Sequence, residues 1–145
     1  MAYKFEIGYG KRTAHLEAES ESMLGKKLGE KISGEEISPN LAGYELEISG
    51  ASDKAGFPSS KDIEGPGLKR KLLTKGFSFH KLKKKKKTAN RKKVSKGMRK
   101  RRTVRGNTIS QDTVQINLKV LKEGNKKFDE IFPVKQAEQK AEQAA

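Results

Sequence analysis

The chain has 145 residues, 33 Lys and Arg against 18 Asp and Glu, a net charge of +15, 32% apolar residues and no cysteine. That length suits one domain of ordinary size, and the lack of cysteine excludes disulfide frameworks and thiolate metal sites. No stretch approaches the ~18 consecutive apolar residues of a membrane span, and Met1-Ala2-Tyr3-Lys4-Phe5-Glu6 alternates where a signal peptide would carry an unbroken apolar run.

Tyr3, Phe5, Ile7 and Tyr9 alternate with Lys4, Glu6 and Gly8, which predicts a strand with one apolar face. A weaker strand is expected at Thr13–Glu17. Ser22–Leu28 reads as a short helix capped by Ser20 or Ser22, kept brief by Gly25 and Gly29. Tyr44, Leu46 and Ile48 alternate with Glu45 and Glu47 as a second clear strand, and Ser49–Pro58, rich in Gly, Ser, Asp and Pro, follows as a loop. Lys71–Thr74 is another weak strand. The most regular alternation is Val114, Ile116, Leu118 and Val120 against Gln115, Asn117 and Lys119, ending at the turn signal Glu123-Gly124-Asn125. With Phe128, Ile131 and Phe132 these segments supply one small core. Short strands punctuated by glycines favour a small antiparallel barrel or rolled sheet over a helical bundle. Gln136–Ala145, rich in Ala, Glu, Gln and Lys, has no apolar stripe and reads as a flexible or helical tail.

The charge is not spread evenly. Residues 65–111 hold nineteen Lys and Arg and no Asp or Glu, while residues 1–64 hold eight basic and twelve acidic side chains and residues 112–145 six of each. Solubility calls for mixed signs. A one-sign block repels itself and is stabilised by a polyanion, which points to nucleic acid. Within it, residues 81–105 form a low-complexity limb without an aromatic side chain. That composition favours phosphate contacts along folded RNA or duplex over base stacking on single strands. The candidate RNA-binding residues are Lys54, Lys69, Arg70, Lys83, Lys84, Lys85, Lys86, Lys87, Arg91, Lys92, Lys93, Arg99, Lys100, Arg101, Arg102 and Arg105. Arg101, Arg102 and Arg105 stand out because Arg forks onto phosphate and because Gly106-Asn107 allows a left-handed turn back into the body. In the Ser49–Pro58 loop, Ser52 and Lys54 face phosphate on one reading; on the other, Asp53 simply bonds its own backbone.

No enzyme signature is found. His15 and His80 are the only histidines and lack carboxylate or cysteine neighbours, Glu45 and Glu47 share the polar face of a strand, and no phosphate-cradling G-x-x-x-x-G-K-[ST] pattern occurs. No cofactor is expected. A DNA-compacting chromatin or nucleoid protein would also use a basic limb, but has no need to insert it between two halves of one fold. An RNA-modifying enzyme would need a cofactor pocket or an acid–base pair.

Three strings carry a resemblance: Leu24-Gly25-Lys26-Lys27-Leu28-Gly29-Glu30, Gly50-Ala51-Ser52-Asp53-Lys54-Ala55-Gly56-Phe57-Pro58, and Arg101-Arg102-Thr103-Val104-Arg105-Gly106-Asn107-Thr108-Ile109. In order and spacing the chain resembles, from about Tyr3 to Phe132, the archaeal–eukaryotic family of small-subunit ribosomal protein six. Two positions depart from the family pattern: Ala51 replaces a second Gly and Ser59 replaces the usual Met. The resemblance implies a non-enzymatic structural constituent of the small ribosomal subunit, in the cytoplasm. It implies a β-barrel body on ribosomal RNA and a basic extension threading between RNA helices, and neighbouring ribosomal proteins as further partners, with no membrane and no homo-oligomer. Residues 1–80 and 106–133 are then the two parts of the body, 81–105 the limb and 134–145 the tail. The chain has no Ser after Ser110, so the phosphorylated tail of eukaryotic members does not carry over.

Overall fold

Tyr3, Phe5 and Ile7 all point to one face of strand β1 (Ala2–Tyr9) and are fully buried in the computed structural model, which describes residues 2–74, 76–79 and 97–132. The chain turns at Gly10 and returns as β2 (Arg12–Glu19), antiparallel to β1. The other described strands are β3 (Lys31–Ser33), β4 (Glu45–Asp53), β5 (Leu68–Leu73), β6 (Lys100–Arg105) and β7 (Thr113–Lys122), followed by one short helix, α1 (Phe128–Ile131).

Five strands form one sheet in the order β2-β1-β7-β4-β3, and β5 and β6 form a separate two-stranded ribbon. Among the described residues the five-stranded sheet is open and mixed, not a closed antiparallel barrel. The reason is the position of β7, which pairs antiparallel with β4 but parallel with β1, from Lys4 opposite Gln115 to Gly8 opposite Lys119. Alternation predicts which face is buried and not which strand lies alongside, so the barrel expectation had no pairing information behind it.

The alternating residues of the three inner strands meet in the core. Leu46 and Ile48 of β4 and Ile116, Leu118 and Val120 of β7 join the β1 trio, with Met23, Ile32, Leu41 and Tyr44 closing around them. Each such side chain contributes about 1.5–3 kcal/mol on burial. Phe128 of α1 is buried as well, its ring 5.4 Å from Tyr9 and 5.1 Å from Phe132, and the Tyr44 hydroxyl donates to the Lys126 carbonyl at 2.6 Å. Glu45 and Glu47 each face a lysine, Lys122 at 3.1 Å and Lys61 at 3.8 Å, and His15 stands 3.7 Å from Glu6 on the outward side of the β1–β2 pair.

Three local expectations are corrected. Ser22–Leu28 is a run of turns, since Gly25 and Gly29 take φ of 83° and 93°, outside the helical region. Ser49–Asp53 continues strand β4 instead of looping, because Gly50, Ala51 and Ser52 pair with Asn117, Ile116 and Gln115 of β7 through a register shift after Ile48. Ala51 therefore sits in extended backbone that any residue can adopt. Lastly, Gly106 has no positive φ: what requires glycine is space, since a Cβ there would lie 1.7 Å from the Gly65 carbonyl oxygen. His80, most of the expected limb (81–96) and the tail (134–145) lie outside the described residues.

Candidate nucleic-acid interface

The last six residues of the expected limb are strand β6, and their partner is β5. Together the two strands carry Lys69, Arg70, Lys71, Lys100, Arg101, Arg102 and Arg105, and neither contains an acidic residue. Residues directly opposite in an antiparallel pair share a face. Leu72 pairs with Arg101 and Arg70 with Thr103 on one face, while Lys71 pairs with Arg102, Lys69 with Val104 and Leu73 with Lys100 on the other. Cations thus project from both sides of the ribbon. Two residues fasten it to the body: Val104 is fully buried and Leu73 nearly so.

Lys71 directly opposite Arg102 is a like-charge pair that disfavours the ribbon. Asp62 offsets it by accepting a hydrogen bond from the Lys71 ammonium. That hydrogen bond and charge hold the Asp62 carboxyl below the usual carboxylate range.

Of the candidate residues, Lys69, Arg70, Lys100 and Arg101 are exposed on the ribbon, Arg102 is half-buried, and Arg99 is exposed just before β6. Lys54 is exposed on the turn after β4. Asp53 builds that turn, its Oδ1 accepting from the Phe57 amide at 2.8 Å. Lys83, Lys84, Lys85, Lys86, Lys87, Arg91, Lys92 and Lys93 lie outside the described residues.

Arg105 is set apart from this group. Its side chain is 10% exposed and turned into the body, where Nε donates to Asp53 Oδ2 at 3.1 Å. Its Nη1 is directed at the Pro66 carbonyl (3.0 Å), Asp112 Oδ2 (3.2 Å) and Ser110 Oγ (3.3 Å). Its Nε and Nη1 are thus engaged within the protein. Arg105 ties the end of β4, the loop before β5 and the turn before β7 into one knot, and its backbone adds bonds to Pro58 and Ser60.

A groove of about 630 Å3 runs between the turn at Ala55–Pro58 and strand β6, lined by Phe57, Pro58, Phe77, Ser78 and residues Lys100–Thr103. No sequence criterion placed Phe57 or Phe77 beside the basic residues, because both lie outside the basic limb and only the pairing of β5 with β6 brings them next to its arginines. The available signal was a glycine before each ring, Gly56-Phe57 and Gly76-Phe77.

The family model of ribosomal protein S6e matches residues 4–133. The chain belongs to this family. S6e proteins are structural ribosomal proteins and not enzymes. The chain is 42% identical over 109 residues to the small ribosomal subunit protein eS6 of Methanoculleus marisnigri, covering 75% of this chain and 72% of that protein. It is 37% identical over 142 residues to the protein of the same name from Methanosphaera stadtmanae, covering 96% and 98%. Against that of Methanocaldococcus jannaschii it is 40% identical over 121 residues, covering 83% and 82%. Within this S6e chain, the motif strings thus fall in the turns after β2, in β4 with its following turn, and in β6 with its exit.

Proposed function

We propose that this S6e protein is an architectural component of the small ribosomal subunit that holds ribosomal RNA through its Lys/Arg-rich segment. The acid-free ribbon carries the reading. Leu73 and Lys100 are opposite each other at its end, so the stretch containing Lys83–Lys87 and Arg91–Lys93 leaves and rejoins the body side by side. Residues 1–80 and 106–133 serve as the body and 81–105 as the RNA-engaging limb, whose six C-terminal residues are anchored as β6. Ribosomal RNA and adjoining ribosomal proteins are the partners, in the cytoplasm where ribosomes work. Each phosphate neutralised by Lys or Arg releases condensed counterion and contributes about 0.7–0.9 to the slope of log affinity against log salt. The charge thereby supports a strong and steeply salt-dependent hold.

The test is co-purification with native particles. The protein is expected in small-subunit fractions after a moderate-salt wash, released by RNase and not by DNase. Release by DNase, or recovery only in the free pool, rejects the proposal in favour of a DNA-coating role or none.

A further inference from the structure

We infer that the groove between Ala55–Pro58 and β6 takes one unstacked RNA base, with Phe57 and Phe77 as its aromatic walls and Lys100, Arg101 and Arg102 on the adjoining phosphates; this rests on the RNA-binding reading above. At about 630 Å3 the groove lies in the range that holds a small-molecule-sized group, about 300–1,000 Å3. Its lining joins apolar rings to three cations and includes no Asp or Glu among the described residues. That combination matches a nucleotide, which has a flat π-face and an anionic backbone, and positively charged grooves with aromatic platforms bind single strands in this way.

Two further observations support the same occupant. Phe77 is 54% exposed, the most exposed Phe or Tyr side chain among the described residues. It is held out by a turn in which the Phe79 amide donates to the Gly76 carbonyl at 3.2 Å, with Gly76 at φ 138° and Ser78 at φ 53°. Ser78 is the one non-glycine residue with positive φ among the described residues, and strain of this kind persists where the surroundings impose it and collects at binding sites. In addition, Arg102 Nε is shut off from water and has no hydrogen-bond partner among the described residues, leaving a charged donor group of this wall unsatisfied by protein. A phosphate meeting the outer guanidinium nitrogens would supply counter-charge to this side chain, which an apolar protein segment would not, although the enclosed Nε lies beyond its reach.

The experiment compares binding of the full-length protein to two RNA stem-loops, identical except that one carries a single bulged adenosine. Wild type is expected to bind the bulged RNA about tenfold more tightly than the paired one, the scale of one stacked base. Phe77→Ala should erase that preference without changing the salt slope, and Phe77→Tyr should retain it. Arg101→Gln should weaken both RNAs alike and flatten the salt slope. Equal binding of both RNAs by wild type, or an equal loss on both in Phe77→Ala, overturns the base site while leaving RNA binding intact. Failure to bind either RNA overturns the RNA-binding reading together with the site.

Discussion

Arg105 Nε donates to Asp53 Oδ2 at 3.1 Å across 52 residues of sequence, joining the basic β6 to the end of β4. The Asp53 side chain is 2% exposed, so removing its partner leaves a charge with no water to solvate it. Breaking a buried pair in this way costs about 3–5 kcal/mol. Arg105→Gln should therefore lower the denaturant midpoint strongly, whereas Arg101→Gln, four residues earlier and exposed, should change stability by no more than about 0.5 kcal/mol. Equilibrium unfolding of the two variants checks the contrast, and equal effects would mean that Arg105 is not the knot described.

Gly106 follows Arg105 and abuts the loop before β5, with its amide donating to the Gly67 carbonyl at 3.0 Å. Gly106→Ala places a methyl group against the Gly65 carbonyl, and such overpacking costs about 1–3 kcal/mol. Gly10 poses the opposite requirement: its φ is 58° and a Cβ there meets nothing within 4 Å. Gly10→Asn, a residue that tolerates the left-handed region, should be nearly neutral. Thermal unfolding is expected to separate the pair, with Gly106→Ala well below wild type and Gly10→Asn close to it.

Asp62 restrains Lys71, and its removal should free a cation for RNA. Because its folded pKa lies below 3.8, the carboxylate is ionised at neutral pH; the pair stabilises the fold above that value and is lost as pH falls through the lowered pKa. Asp62→Asn at neutral pH should raise RNA affinity at low salt and steepen the salt slope by about 0.7–0.9, one further phosphate contact. A salt titration of RNA binding reads this directly. An unchanged slope would show that Lys71 faces no phosphate.

Replacing Lys83–Lys87 with Gln should flatten the same slope by about 3.5–4.5 if all five engage phosphate, with the thermal transition of the body unmoved. A body that failed to fold in RNA-free buffer would contradict the division into body and limb.

The apolar face of each long strand was legible because alternation is local: Tyr3, Phe5 and Ile7 or Ile116, Leu118 and Val120 announce burial by spacing alone. Pairing was not. That β1 lies parallel to β7 depends on contacts more than 100 residues apart, and no local pattern encodes them. Gly50-Ala51-Ser52-Asp53 has the composition of a loop yet is strand, because the neighbouring β7 supplies its hydrogen bonds and overrides weak propensity. At the interface, Arg101 and Arg105 looked alike in sequence and share a face of β6. What separates them is that Arg105 alone reaches Asp53 and Asp112, a tertiary accident of position. The nearness of Phe57 and Phe77 to these arginines was hidden for a related reason, since each belongs to a turn whose place beside β6 is set by the ribbon.

The seat of β7 has a consequence for biosynthesis. It is the last of the described strands to be translated, yet it separates the β1–β2 hairpin from the β3–β4 pair, which among the described residues have no other link through the sheet. Until residue 122 has left the exit tunnel, these two hairpins cannot close on one core. By then the entire cationic block has already been made, so the nascent chain carries its polycation before the five-stranded sheet can close.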